Sequence, residues 1–176
     1  LRGIFSIVFI DLKLETVQLI RDFTGTKPLY YLKKNDGLYF ASEAWFLYSL
    51  SSKKIDKECL NFFVNFGFTK EDQTLIESVK KVPSRNICEF QFTGSKHTIE
   101  KYYSIDGDKN SLIPSKKEIK SLITEVAERN LISDTKVGTF LSGGVDSTTI
   151  SLIAKNRNDN VEAFTTYYLP KKKYEK

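Results

Sequence analysis

The sequence predicts two architectures in succession, an α+β amino-terminal part built of antiparallel sheets with helices, then the start of an α/β parallel-sheet domain. Three observations predict this. Short apolar runs separated by turn residues fill positions 3–41, an alternating run returns at 85–92, and a strand, a glycine pair, a helix and a second strand follow one another over 136–168.

Residues 3–11 and 16–22 are apolar runs a hairpin apart, and 28–32 with 37–41 repeat the device around Asn35-Asp36-Gly37. These read as successive antiparallel strands. Ser42 is expected to cap a helix running to about Leu50, with Glu43 favoured by the helix dipole, and Asp56 to cap another that carries Leu60, Phe63 and Val64 on one face. Residues 85–92 alternate and return to the sheet, with 95–103 as their partner after a glycine turn at Gly94. His97, the only histidine, falls in that strand beside Thr98 and reads as structural. Between Tyr103 and Ser115 the composition turns to Asp, Gly, Asn, Ser and Pro, so a linker is expected there, dividing the chain into domains 1–104 and 115–176. Ser115 to Glu118 form a capping-box pattern, and Ile119, Leu122, Ile123, Val126 and Ala127 mark the buried face of a helix reaching about Leu131. Strand 136–141, the glycine loop, a helix and strand 161–168 then make a right-handed parallel unit, with ligands expected at the carboxyl ends of its strands.

With 176 residues, 40% of them hydrophobic and 13% aromatic, the chain can bury a proper core. The net charge of +5 comes from scattered lysine doublets such as Lys33-Lys34 and Lys80-Lys81, the pattern of a solvated surface rather than a nucleic-acid face. The one dense run, Lys171-Lys172-Lys173, follows Pro170 and reads as an exposed loop. Cys59 and Cys88 lack any C-x-x-C spacing, which excludes a zinc knuckle or redox pair and fits a reducing compartment. No stretch approaches the ~20 apolar residues of a membrane span, so the chain reads as soluble. It contains no Met and begins inside an apparent strand, and a fragment of a longer protein is expected.

The segment Phe140-Leu141-Ser142-Gly143-Gly144-Val145-Asp146-Ser147 carries most of the functional information. Its glycines let backbone N–H groups approach phosphate oxygens, the following helix aims a partly positive terminus at the same anion, and Ser142 and Ser147 offer further donors. The Walker alternative fails at its lysine. Gly138 to Gly143 has the G-x-x-x-x-G spacing, but Gly144-Val145 stands where Lys followed by Ser or Thr is needed. A loop of this kind suits attack at the α-phosphate, with a carboxylate adenylated and pyrophosphate released, and makes the closing part the start of a nucleotide-binding domain. Asp146 has two readings, as N-terminal cap of its helix or as a Mg²⁺ ligand. A glycine turn without a ligand is the plain alternative for the loop.

The octet resembles the S-G-G-x-D-S pyrophosphate loop of the N-type ATP pyrophosphatases. The amino-terminal half adds a second signal, because Ile20-Arg21-Asp22-Phe23-Thr24-Gly25-Thr26-Lys27-Pro28-Leu29-Tyr30-Tyr31 is similar to the R-D-x-x-G-x-K-P-L-Y-Y segment of class II glutamine amidotransferases, which are Ntn-hydrolase-like. With Gly37 to Glu43, Ile55-Asp56, Thr74-Leu75, Val82-Pro83 and Tyr102-Tyr103 following in order, the whole chain resembles the glutamine-hydrolysing asparagine synthetase family. The resemblance implies a ligase in which ammonia from glutamine meets an aspartyl adenylate, giving asparagine, AMP and pyrophosphate. It implies ATP and Mg²⁺ as cofactors, glutamine, aspartate and ATP as substrates, a cytoplasmic setting without nucleic-acid or membrane partners, and a homodimer among the assemblies allowed. Asp22 matches the carboxylate that receives the α-amino group of glutamine, its other reading being a turn cap beside Arg21. Leu141 matches a backbone contact near the adenosine; Ser142, Gly143, Gly144, Val145, Asp146 and Ser147 match the pyrophosphate cradle, Asp146 with Mg²⁺; Thr166 matches an adenine-side contact.

Departures from the family pattern bound the reading. Class II amidotransferases attack with the thiol of the mature first residue, whereas this chain begins with Leu1, so the nucleophile is expected upstream and no catalytic residue is assigned within it. Cys59 and Cys88 are internal and read as small buried hydrophobes. The aspartate-binding half is expected beyond Lys176, which leaves the fragment inactive alone. Phe23 replaces the second Arg of R-D-R, and Ser84-Arg85-Asn86 replaces Pro-Pro-Gly after Val82. A β-lactam-synthetase-like ligase, a related amidotransferase with another carboxylate acceptor, and a tRNA-modifying ATP pyrophosphatase are the alternatives.

Overall fold

Asp11 ends the first strand and organises the first turn, its carboxylate accepting the amides of Lys13 and Leu14 at 2.8 and 2.9 Å. The chain thereby reverses from β1 (Ser6–Asp11) into β2 (Thr16–Arg21), paired antiparallel from Ser6↔Arg21 to Asp11↔Thr16. The structure, a computed structural model, describes residues 1–92, 97–101 and 113–167. It divides into two compact units, Leu1–Asp106 and Gly107–Lys176. The turn at Gly94, most of the expected linker and the Lys171 to Lys173 run lie outside the described residues.

In the first unit the hairpin of β1 and β2 is extended by β6 (Asn86–Gln91) and β7 (His97–Lys101) into an antiparallel sheet of order β1-β2-β6-β7. A second antiparallel sheet has the order β4-β3-β5, from β3 (Tyr30–Lys34), β4 (Gly37–Ala41) and β5 (Val79–Lys81). The core lies between the sheets, where Leu19, Cys88 and Phe90 of one meet Tyr31 of the other, with Leu29 and Val82 beside them. Tyr31 and Phe90 pack edge to face at 5.1 Å. Leu32, the next residue of β3, turns to the opposite face and packs with Val79 and Leu47 of α1 (Ala44–Tyr48). Burial on both faces accounts for the unbroken apolar run at β3, since neither side meets water.

The expected start and end of the first helix require correction. Ser42 does not cap α1: the N-cap is Glu43, without a side-chain bond, and the helix ends at Tyr48 rather than Leu50. The hydroxyls of Ser49 and Ser51 bond the carbonyls of Phe46 and Tyr48 and so compete with a further turn. Asp56 does cap α2 (Lys57–Phe66), accepting the Cys59 amide at 2.9 Å, and Gly67 at φ 78 closes it. The buried residue of α2 is Cys59, and Leu60, Phe63 and Val64 are 37–74% exposed. Phe62, Phe66 and Phe68 pack on one another instead, with the Phe62 and Phe66 rings 4.6 Å apart.

The second unit begins at α3 (Lys116–Asn130), whose capping box forms as expected: Ser115 Oγ accepts the Glu118 amide, and Glu118 accepts the Ser115 amide at 2.7 Å. Of its expected buried face only Ala127 is buried; Ile119, Leu122, Ile123 and Val126 are 40–61% exposed, because α4 (Val145–Arg157) covers only part of that stripe. The strands are shorter than the apolar runs that mark them, β8 (Gly138–Phe140) and β9 (Glu162–Phe164), and they pair in parallel from Gly138↔Glu162 to Phe140↔Phe164. A parallel pair joined through α4 is the connection such strands require.

Candidate functional sites

The end of β2 delivers Asp22 into a loop that folds around its carboxylate. Asp22 is fully buried. Its Oδ1 accepts the amides of Thr24 and Thr26 at 3.1 and 2.9 Å and the Thr24 hydroxyl at 3.1 Å, and its Oδ2 accepts the Lys27 amide at 2.9 Å. Burial pushes this carboxyl upward, but the Lys27, Thr26 and Thr24 donors outweigh it and hold it below the ordinary value. The main chain is tied as firmly, with the Asp22 carbonyl accepting the amides of Gly25 and Arg85, each at 3.1 Å.

Arg21 closes the loop from the other side. Its guanidinium donates from Nε to the Lys27 carbonyl at 3.1 Å, from Nη1 to the Val82 carbonyl at 2.8 Å, and from Nη2 to the Gly25 carbonyl. Gly25 adopts φ 68, and a Cβ there would lie 3.0 Å from Arg21 Cζ and from Ser84 Cβ, so the loop admits no side chain at that position. Glu71 secures the neighbouring segment by accepting the Ser84 amide at 2.8 Å and the Ser84 hydroxyl; these bonds, with Arg85 and Arg21 nearby, hold its carboxyl below the ordinary value. Sequence reasoning singled out Asp22 and left Arg21, Glu71 and Ser84 without roles. Their signal was separation: Arg21 and Val82 stand 61 positions apart and meet only in the fold. Both thiols are unsuited to nucleophilic work, since burial raises Cys59 and pushes Cys88 up to about 12.

The second site lies where β8 runs into α4. The Leu141 amide donates to the Phe164 carbonyl at 2.7 Å, and Ser142 and Thr166, each two residues beyond the paired Phe140 and Phe164, leave the parallel pair at the same carboxyl edge. Gly143 has φ 83 and Gly144 is the N-cap of α4, with no side chain among the described residues bonded to the helix terminus. The first-turn amides of Val145, Asp146 and Ser147 therefore lack intrahelical acceptors and lie on an exposed surface. Ser142 and Ser147 are bonded to each other, Oγ to Oγ at 3.0 Å and from the Ser142 amide to Ser147 Oγ at 3.2 Å, while Ser147 Oγ also donates to the Gly144 carbonyl. A Cβ at Gly144 would point into this cradle, 3.6 Å from Ser142 Oγ.

The capping alternative for Asp146 is overturned, because Gly144 holds the N-cap position and Asp146 falls in the first turn. Its carboxylate is exposed. Among the described residues no cluster of three or more His, Cys, Asp or Glu could hold a metal by itself. A lone carboxylate beside free amides matches Mg²⁺ that takes most of its ligands from phosphate and water. Thr166 is exposed, and the described residues show no bond from its side chain. No helix among the described residues is long and apolar enough to cross a membrane.

Comparison with known proteins follows the same division. A family model described as glutamine amidotransferase domain matches residues 1–103, and one described as asparagine synthase matches residues 118–176. Asparagine synthetase [glutamine-hydrolyzing] 1 of Bacillus subtilis (strain 168) is 33% identical over 174 residues, covering 94% of this chain and 26% of that protein. Asparagine synthetase [glutamine-hydrolyzing] 3 of the same organism is 29% identical over 159 residues, covering 88% of this chain and 26% of its own. A putative asparagine synthetase [glutamine-hydrolyzing] 2 of Methanocaldococcus jannaschii is 26% identical over 165 residues, with 89% of this chain and 32% of its own covered. The chain thus spans about a quarter to a third of the length of these curated relatives. With the first model covering more than half of its residues, and the second following in order, the chain belongs to the glutamine amidotransferase domain family.

Proposed function

We propose that this chain is part of an ATP-dependent amide ligase that makes asparagine from aspartate, using ammonia released from glutamine and an aspartyl adenylate that yields AMP and pyrophosphate. The observation that carries the reading is the pairing within one chain of an amidotransferase unit and a strand-to-helix loop with free terminal amides. Domain 1–104 is the amidotransferase part and 115–176 the start of the ATP-binding part.

In this reading Asp22 receives the α-ammonium of glutamine. Oδ2, with a single donor among the described residues, is the oxygen with capacity for it, and the depressed carboxyl keeps the charge that the ammonium needs. Leu141 to Ser147 hold the nucleotide. The amides of Gly144, Val145, Asp146 and Ser147 face the phosphates, Asp146 takes Mg²⁺, and Thr166 borders the adenine at the same strand edge. Bound ATP supplies the adenylyl group that activates the acceptor carboxylate. The loop's own part is to orient the α-phosphate and to stabilise departing pyrophosphate.

The test is asparagine formation by the full-length protein from aspartate, ATP and glutamine, with AMP and pyrophosphate followed. Asp22→Asn should lose the use of glutamine and retain that of ammonia, whereas Asp146→Ala should lose both. AMP release with a carboxylate other than aspartate would keep the loop's role and replace the acceptor.

A further inference from the structure

The Asp22 loop has a wall, and the wall is held from outside. Residues 82–85 run beside the loop: the Val82 carbonyl accepts from Arg21 at 2.8 Å, the Arg85 amide donates to the Asp22 carbonyl at 3.1 Å, and a Cβ at Gly25 would lie 3.0 Å from Ser84 Cβ. Within this wall Arg85 has φ 62, a left-handed conformation that glycine adopts without steric cost and arginine does not. Strain of this kind persists only where the surroundings over-determine the backbone.

Ser84, the residue before it, is where they do so. Its carbonyl accepts from Asn86 Nδ2 at 2.7 Å, while its amide, at 2.8 Å, and its hydroxyl both donate to Glu71 Oε1. Glu71 is exposed, but it stands on a fixed turn. The Gln73 amide donates to the Lys70 carbonyl at 3.2 Å, the Thr69 hydroxyl to the Gln73 carbonyl at 3.1 Å, and the Lys81 amide of β5 to the Asp72 carbonyl at 3.0 Å. Lys70 is paired in turn with Glu58 of α2 at 2.8 Å. The carboxylate therefore ties a turn anchored on α2 and β5 to the wall of the Asp22 loop, 13 residues further on. Proline, which the amidotransferase pattern has where this chain has Ser84, would need no such acceptor, because it lacks an amide hydrogen and fixes its own φ. Serine presents an amide and frees a dihedral, and Glu71 answers both.

We propose that Glu71 is a positioning residue for glutamine use: through Ser84 it holds the 82–85 wall, and with it the Asp22 loop, in the arrangement that receives the substrate. This rests on the glutamine-using reading given above. Glu71 acts by offering an acceptor oxygen rather than by its charge, since both bonds from Ser84 end on the one Oε1.

The test is steady-state kinetics of the full-length protein with glutamine and, separately, with ammonia as the nitrogen source. Glu71→Ala should raise KM for glutamine about threefold to tenfold, with kcat largely kept and the ammonia-dependent rate unchanged. Glu71→Gln keeps the acceptor oxygen and should hold KM within about twofold of the wild type. Ser84→Pro, added to Glu71→Ala, should bring KM back to within about twofold as well, because the amide that lost its acceptor is gone. An unchanged KM in Glu71→Ala would overturn the proposal, as would Glu71→Gln impaired as severely as Glu71→Ala, which would make charge the cause. So would equal losses with glutamine and with ammonia, the sign of a general loss of stability. A double variant that melts with Glu71→Ala yet keeps its high KM would also overturn it; if the double variant melts lower, the comparison of Gln with Ala at position 71 decides alone. Ammonia use without any glutamine use by the wild-type protein would instead overturn the glutamine-using reading, and this assignment with it.

Discussion

The loop at Asp22 and the loop at Ser142 each follow a strand and each contain a glycine with positive φ, but they direct their amides oppositely. Asp22 to Lys27 curls inward around an anion that the chain itself supplies, with three amides and a hydroxyl aimed at one carboxylate. Ser142 to Ser147 turns outward, its helix terminus uncapped and its internal bonds confined to two serines and one carbonyl. The first loop is held together without a ligand; the second is shaped but unsatisfied. Substitutions should therefore cost stability in the first, with glutamine use lost as well where Asp22 itself is changed, and act on ligand use with little loss of stability in the second.

The largest effect is expected for Asp22→Ala, which strands four part-buried donors at once and should cost about 3–5 kcal/mol in the denaturant midpoint analysis of the amidotransferase unit. A loss below about 1 kcal/mol would mean that the loop does not depend on its own anion, and the contrast would collapse. Next comes a matched pair of glycine substitutions. Gly25→Ala combines a left-handed backbone with 3.0 Å approaches to Arg21 and Ser84, and should cost about 2–4 kcal/mol. Gly143→Ala has the same sign of φ in open space and should cost about 1 kcal/mol. Thermal melts giving equal losses would show that surroundings do not distinguish the loops.

Acid supplies a subtler contrast. Because Asp22 is held below its ordinary value of 3.8, its contribution to stability is present above pH 3.8 and is lost as the pH falls through the lower folded value. Unfolding titrations in that window should show the wild type losing stability more steeply than Asp22→Asn. The smallest stability effect is expected for Ser147→Ala, which removes the serine pair at an open surface and should cost less than about 1 kcal/mol. Its signature should be a raised KM for ATP, and an unchanged KM would show that the amides keep their arrangement without the hydroxyls.

The two loops also differ in how far the sequence disclosed them. The outward loop was legible because every part of it is contiguous, from β8 through Gly143 and Gly144 into α4, so local backbone rules suffice. The inward loop disclosed only Asp22 in its matching segment. Arg21 meets Val82 across 61 positions, Arg85 reaches back to Asp22 and Glu71 meets Ser84 across 13, and no local rule ties them together. Of the strands, β6 was read from alternation, because period two follows directly from the pleat, the others from apolar runs between turns, and β5 was not anticipated. The apolar face of α3 was overread: helical spacing identifies a stripe at Leu122, but not how much surface packs over it. At α1 the serines after Tyr48 decided the length, through carbonyl bonds that a periodicity does not register.

Val82 has a consequence for motion. Its side chain is wholly buried between the sheets, its amide donates to the Leu29 carbonyl at 2.9 Å, and its carbonyl accepts from Arg21. It thereby fastens the end of β5, the approach to β3 and the Asp22 loop at a single residue. Sliding of one sheet past the other would have to break that fastening, so shear between the layers is geared to the loop rather than independent of it. Amide hydrogen exchange should report the gearing directly, with Val82 and Lys27 exchanging at one common rate, and a much faster Lys27 would uncouple loop from layers.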